Sequence, residues 1–185
     1  MGHAQIVQIR NETVHMICQN LKGFKRKSKE ADRLLKSLKD KHCLDPRDLH
    51  SIARWKLRGQ YNRVRPRLMM NSSRQIGKVT KVAFEPPEPT TLPDLGARVR
   101  KLRELEGVGM GLASAILALR FPTHACVIDF RVWRQVYDEK RNSFTVNQYL
   151  RYVQDVRKCA AKLGWTLLEV DIALWNKDRA ESHCA

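Results

Sequence analysis

Leu105-Glu106-Gly107-Val108-Gly109-Met110-Gly111, followed by Val127-Ile128-Asp129-Phe130-Arg131-Val132-Trp133-Arg134, decides how this chain folds. Three glycines at alternate positions separate two segments of helical character. Ahead of them Leu95, Val99, Leu102 and Leu105 recur at intervals of three and four, as one apolar face of a helix requires. Behind them Leu112, Ala113, Ile116, Leu117 and Leu119 continue a helix dense in small and apolar residues, suited to close helix–helix contact. Without a Cβ, Gly107 and Gly109 can adopt backbone angles closed to other residues and let a partner approach the main chain. The amides at the N-terminus of the helix from Met110 towards Arg120 then offer a site for a phosphate oxygen. An isolated Gly-x-Gly is more often a plain tight turn, but its helical flanks and the charge of the chain shift the reading towards a backbone grip.

That charge is large. The 185 residues carry 35 Lys and Arg against 19 Asp and Glu, a formal net charge of +16. Such a balance attracts polyanions and makes their binding salt-dependent, because each neutralised phosphate releases counterions. An anionic membrane is the poorer partner: no long apolar segment occurs, and the basic residues do not flank one amphipathic helix. The length suits one domain with a sizeable core. Cys18, Cys43, Cys126, Cys159 and Cys184 are odd in number and scattered, with no CxxC pair and no signal peptide. They point to a reducing, intracellular compartment: cytoplasm and nucleoid, or the nucleus of a eukaryote. His3, His15, His42, His50, His124 and His183 show no HxxxH or HExxH spacing, so none is assigned to a metal or to catalysis.

The remaining pattern is helical. Residues about 3–20 carry Ile6, Ile9, Val14 and Ile17, and residues about 29–42 carry Ala31, Leu34, Leu35 and Leu38, with the basic connector Lys22 to Lys29 between them. Asp45-Pro46 supplies an N-cap and a first-turn proline for a helix ending near Trp55 to Arg58, and Ser72 or Ser73 starts another through Phe84. The prolines from Glu85 to Pro93 read as a surface loop. Thr145 with Gln148 and Thr166 with Glu169 are capping boxes. No strand-period segment and no repeat stand out, so the expected class is all-α.

The hairpin resembles the Leu-Pro-Gly-Val-Gly element of the helix-hairpin-helix DNA glycosylases, with Glu106 in place of the proline. That family includes endonuclease III and the adenine-mismatch, oxoguanine and alkyladenine glycosylases. Val-Ile-Asp-Phe-Arg-Val-Trp-Arg is similar to the family's Val-Asp-x-x-x-x-Arg element, whose aspartate is catalytic, and Asp129 follows Gly111 by 18 positions, close to the family spacing. The resemblance implies one domain over 1–185 with two helical lobes and a cleft between them. One lobe would span about 28–124 with the hairpin 105–111, and the other would join 1–27 to 125–185. It implies base excision from double-stranded DNA by a monomer, with Gly107, Val108, Gly109, Met110 and Gly111 on a phosphate. It also implies a structural K+ or Na+ at the main-chain carbonyls of Arg103, Leu105 and Val108, and no other cofactor. The iron–sulfur cluster of some relatives lacks ligands here, since only Cys159 and Cys184 lie in the matching region.

Strand-cutting members carry a lysine after the hairpin, and the matching residue is Gly111. The resemblance therefore implies a monofunctional enzyme that uses water; a lyase would need a lysine from elsewhere, such as Lys101 or Lys56, without motif support. Breaking an N-glycosidic bond passes through an oxocarbenium-like sugar, so a carboxylate beneath C1′ stabilises the developing charge and can orient water. Asp129 fits that role and would equally serve as the N-cap of a helix from Phe130 to Tyr137. Trp55, Lys56, Arg58 and Tyr61 match a DNA-facing region of the family. Trp55 and Tyr61 read either as base pocket or wedge or, for Trp55 with Ile52, as core. Lys56, Arg58, Arg131 and Arg134 are expected to hold phosphates or orient the cleft, whereas Trp133 reads as buried. The competing class is a non-catalytic helix-hairpin-helix clamp, which has no use for a carboxylate at the position of Asp129.

Overall fold

Short polar side chains open most of the helices in the computed structural model, which describes residues 18–182. Ser28 accepts the Ala31 amide at the head of α1 (Lys29–Leu38). Asp45 and Asp48 form a reciprocal capping box at α2 (Pro46–Leu57). A 3-10 turn, Arg58–Gln60, leads into α3 (Tyr61–Leu68), and Ser72 caps α4 (Ser73–Phe84). Thr91 caps α5 (Leu92–Leu102), Gly109 opens α6 (Met110–Arg120) and Asp129 opens α7 (Phe130–Tyr137). The two expected boxes, Thr145 with Gln148 and Thr166 with Glu169, head α8 (Val146–Leu163) and α9 (Leu167–Glu181). Each such cap satisfies amides that the first helical turn leaves without partners. The described residues contain no strand, so the chain is all-α.

Three boundaries differ from the sequence reading. The helix at 29–42 ends at Leu38, with the chain turning beyond Lys39. Leu92 and Pro93 belong to α5 rather than to the proline loop, because a first-turn proline gives up an amide that had no partner and the Thr91 hydroxyl takes that of Asp94. An unexpected helix, α3, carries Pro66 in its interior; burial of Tyr61 and Leu68 holds it despite the missing donor. The helix expected at 3–20 lies outside the described residues except for its end at 18–21.

The centre of the fold is α6. Every residue from Leu112 to Leu119 is buried, and the helix packs against α1, α2, α5 and α9. Around it α4 pairs with α5, α5 with α8, and α9 with both α7 and α8. The segment 18–27 lies on the C-terminal helices: Asn176 donates to the Lys25 carbonyl (2.7 Å), and Arg26 stacks on Trp165 and faces Glu169. Cys18 and Cys159 are joined there as a disulfide, with Cα atoms 5.4 Å apart. Their separation of 141 residues left no pattern to read. Among the described residues no helix is long and apolar enough to cross a membrane.

The proline loop after α4 is tied down by one side chain. Buried Arg98 donates to the carbonyls of Ala83 (3.0 Å), Glu85 (2.8 Å) and Pro87 (2.7 Å), and its Nε pairs with Asp94 (3.1 Å). A guanidinium has the donors to do this; a segment rich in prolines has carbonyls in excess of amides. The effect is to fix the start of α5, and with it the helix that enters the glycine hairpin.

Candidate active site

Asp129 is placed by the backbone on both sides of it. The run Ala125 to Ile128 is buried and is tied to α6 at its end. Ser114, fully buried on α6, accepts the Ile128 amide (3.0 Å) and donates to the Gly111 carbonyl (2.9 Å). One hydroxyl thus sets the distance between the hairpin helix and the residue before the carboxylate. Beyond it Asp129 caps α7: Oδ1 accepts the amides of Arg131 (2.9 Å) and Val132 (3.2 Å). The other oxygen, Oδ2, accepts Lys56 Nζ at 2.7 Å. Lys56 comes from the last turn of α2, and the pair is largely withdrawn from water, with side chains 9% and 21% exposed. Burial alone would raise the Asp129 carboxyl, but the charge and hydrogen bond of Lys56, with the amides of Val132 and Arg131, outweigh it and hold the group below its ordinary value. Asp129 is therefore an anion at neutral pH.

Lys56 and Asp129 open onto a cavity of about 210 Å³ whose walls include Trp55, Arg58, Asp171 and Trp175. This is less than the roughly 300–1,000 Å³ of ordinary small-molecule sites, which suits a single ring system better than a whole nucleotide. Arg58 has a backbone φ of 47° and ψ of −118°, strained for a residue with a Cβ, and its guanidinium lies 4.7 Å over the Trp175 ring. Asp171 accepts from the Tyr152 hydroxyl (2.9 Å) inside the protein. Burial, reinforced by the nearby Asp129 charge, pushes its carboxyl well up, against the opposing pull of Lys56 and Tyr152. Two carboxyls thus border one cavity with their proton affinities driven in opposite directions, the arrangement that separates a base from an acid.

The three hairpin glycines have three different reasons. Gly107 has φ +78°, and a Cβ there would lie 3.1 Å from the Leu68 nitrogen, so both angle and space demand glycine. Gly111 is packed from two sides: its Cβ would stand 3.3 Å from the Ile128 carbonyl and 3.5 Å from Lys56 Cε. Gly109, expected to need an unusual angle, has φ −81° and open space around its Cβ position, so nothing within the chain requires glycine there. It also leaves the N-terminus of α6 without a side-chain cap. Asn71 braces the turn, accepting the Glu106 amide (2.8 Å) and donating to its carbonyl (2.9 Å). An open groove of about 660 Å³ runs along the hairpin, bordered by Arg63, Arg67, Arg103 and Gly111. A Cβ at Gly111, which borders the groove, would lie 3.5 Å from Cε of Lys56, which borders the cavity, so groove and cavity are neighbours.

Several expected residues sit elsewhere. Tyr61 is buried, its hydroxyl 2.9 Å from His50 Nδ1 and its ring under Arg54, so it belongs to the core and not to the cavity. Arg131 and Arg134, expected at phosphates, hold Asp178, whose side chain is fully buried, at 2.8 and 2.7 Å. A charge so enclosed requires partners, and these two guanidinia supply them. Trp133 is buried, as its reading had it. Arg103, Leu105 and Val108 border the hairpin groove, where the Leu105 carbonyl already accepts the Val108 amide (3.1 Å) and Arg63 and Arg67 also line the wall. Among the described residues no group of three or more His, Cys, Asp or Glu side chains could hold a metal. Sequence reasoning missed the Lys56–Asp129 contact, Asp171 and Trp175. Asp171 alone carried a signal, an aspartate on the same helical face as Leu167, Leu168 and Leu174.

Two predictions follow from this geometry. Gly107→Val should lower stability by at least about 2 kcal/mol through backbone strain, whereas Gly109→Val should cost no more than about 1 kcal/mol, the difference between a tolerated and a poor cap. Thermal melts and DNA titrations should show the Gly109 variant folded yet weakened towards every duplex sequence alike; unchanged binding would reduce the hairpin to a turn. For Asp171 the raised folded-state pKa means that the native state keeps a proton the unfolded chain gives up. Stability should therefore fall as pH rises from about 4, the unfolded carboxylate value, and Asp171→Asn should flatten that loss. Melting curves of wild type and variant that stay parallel from pH 4 to 7 would contradict it.

No protein-family profile, curated protein or solved structure matches this chain.

Proposed function

We propose that this protein is a DNA glycosylase of the helix-hairpin-helix kind, which extrudes a modified, damaged or mispaired base and breaks its N-glycosidic bond at Asp129. The observation that carries the reading is the anionic Asp129 carboxylate, set at a cavity that adjoins the glycine hairpin through Gly111. In this reading a phosphate of double-stranded DNA meets the amides of Gly107 to Gly111, with Arg63, Arg67 and Arg103 supplying charge along the groove. The extruded base enters the cavity lined by Trp55 and Trp175, where the Trp55 ring and the Arg58 guanidinium that covers Trp175 offer stacking surfaces that repay part of the unstacking cost. Asp129 lies beneath C1′ and stabilises the oxocarbenium-like sugar. Asp171, whose environment favours the protonated form, is the group suited to protonate the departing base. The cleft would fall between a lobe of about 28–124 and a lobe built from 1–27 and 125–185. A monovalent cation at the carbonyls of Arg103, Leu105 and Val108 belongs to the resemblance, and no step depends on it.

A plain helix-hairpin-helix clamp is the competing reading. It accounts for the hairpin and for the net charge of +16, but not for a buried cation–carboxylate pair, two tryptophans and a second carboxyl around one cavity.

The test is release of free base, followed by mass spectrometry, from duplexes bearing oxidised, alkylated, deaminated, mismatched and hypermodified bases. Wild type should release at least one class. Asp129→Asn should lose on the order of 100-fold or more in rate, the scale of one lost electrostatic stabiliser in a dry site, while binding the same duplex as tightly or slightly more tightly. Activity should persist to pH values below the ordinary carboxylate range, because the Asp129 carboxyl is held down. A protein that binds duplexes and releases no base from any of them would support the clamp instead.

A further inference from the structure

We propose that Lys56 is the amine nucleophile of this site: it attacks C1′ of the extruded nucleotide, forms an imine with the sugar, and so makes the enzyme a strand-cutting lyase. The inference rests on the reading of the Asp129 cavity as a glycosylase site, and it replaces the expectation of water that Gly111 had suggested. Residue 111 has no side chain, yet the space beside it is filled. The Lys56 stem passes 3.5 Å from the Cβ position of Gly111. Its ammonium ends 2.7 Å from Asp129 Oδ2, at the wall of the cavity. An amine thus reaches the carboxylate from α2 rather than from the helix after the hairpin. A Cβ at 111 would press on the Ile128 carbonyl at 3.3 Å and meet that stem at contact distance, so the lysine occupies the space next to the missing side chain.

The neighbourhood suits a nucleophile. The Lys56 side chain is 9% exposed, so bulk water does not compete strongly for its protons. Asp129 Oδ1 is occupied by the α7 amides, which leaves Oδ2 as the proton acceptor facing Lys56. A lysine acts as a nucleophile once a nearby base or a dry pocket frees its lone pair.

The chemistry balances with water as the only co-reactant. Lys56 passes one ammonium proton to Asp129, and the freed lone pair forms the N–C1′ bond as the bond from C1′ to the base breaks. The base leaves with that electron pair and takes a proton from Asp171; Asp129 releases the proton it received to solvent, which returns one to Asp171. The new C1′-bound nitrogen gives a proton to O4′ as the C1′–O4′ bond opens, which leaves a protonated imine. Asp129, again a carboxylate, removes a C2′ proton; the resulting electron pair forms the C2′–C3′ double bond, and the 3′ phosphate leaves with the electrons of the C3′–O bond. Water hydrolyses the imine, restoring the Lys56 ammonium and freeing an unsaturated aldehyde, and Asp129 returns its proton to solvent.

An abasic duplex tests the amine without knowledge of the base. The full chain is incubated with a duplex bearing one abasic site, reduced with sodium borohydride, digested, and the cross-linked peptide sequenced by mass spectrometry. The adduct should map to Lys56. Lys56→Arg keeps a cation beside Asp129 but cannot form the imine, so trapping should fall to the level of an unrelated basic protein, while Lys101→Arg should trap like wild type. Circular dichroism melts report whether the variants fold, and the wild-type map decides the question even if one does not. Adducts spread over other lysines, no adduct, or undiminished trapping by folded Lys56→Arg would overturn the proposal. Base release measured in parallel separates the two readings: release without a Lys56 adduct overturns only the amine, whereas a Lys56 adduct without release from any modified duplex supports the amine and removes the excision step.

Discussion

One carboxylate ties three parts of this chain together. Asp129 gives one oxygen to the amides that open α7 and the other to an ammonium from the end of α2. The residue before it is fastened to α6 through Ser114. None of these contacts is strong alone, since a buried ion pair recovers little more than its desolvation penalty. Together they hold an anion at a fixed height over a small cavity, with its negative charge kept by neighbours rather than by water. A group held in this way does not have to reorganise when positive charge develops in front of it, which is the physical basis of electrostatic stabilisation in a dry site.

The hairpin shows how the same residue type can answer separate demands within five positions. Gly107 is needed by the backbone angle and by Leu68, Gly111 is favoured by the close Ile128 carbonyl, and Gly109 is needed by nothing inside the protein. A glycine whose side-chain space is empty is the position at which an external backbone can come closest. The arginines along the groove give that approach its charge, and the helix start gives it amides. In the proposed function grip and chemistry would meet at Gly111, which lines the groove and whose Cβ position lies 3.5 Å from Lys56 Cε.

Much of the fold was legible because helix starts are local. Asp45, Ser72, Asp129, Thr145 and Thr166 each act on amides two or three residues ahead, within the reach of a sequence pattern. The apolar period of α5 was readable for the same reason. Pairings across the chain were not. Lys56 and Asp129 are 73 positions apart, and Arg131 and Asp178 are 47 apart; each meets its partner only because intervening helices pack. Arg131 and Arg134 had the composition of a phosphate site, but the fold buries a carboxylate beside them and electrostatics claims them first. Tyr61 was misplaced because α3, with its interior proline, was hidden by the residue that usually ends a helix. That Lys56 stands beside Gly111 was likewise unreadable, since sequence alone cannot reveal which side chain enters the space a glycine leaves.

The central claim is that an extruded nucleotide occupies the cavity in front of the Asp129–Lys56 pair. The most direct measurement is a crystal structure of the chain bound to a duplex carrying a tetrahydrofuran nucleotide, a stable analogue of the abasic sugar. The account predicts that sugar turned out of the helix, with its C1′ position about 3–3.5 Å from Asp129 Oδ2 or Lys56 Nζ, as a reacting pair requires, and a phosphate of the same strand on the hairpin amides. A duplex bound on another face, or bound at the hairpin with every nucleotide still stacked and the cavity empty, would contradict it.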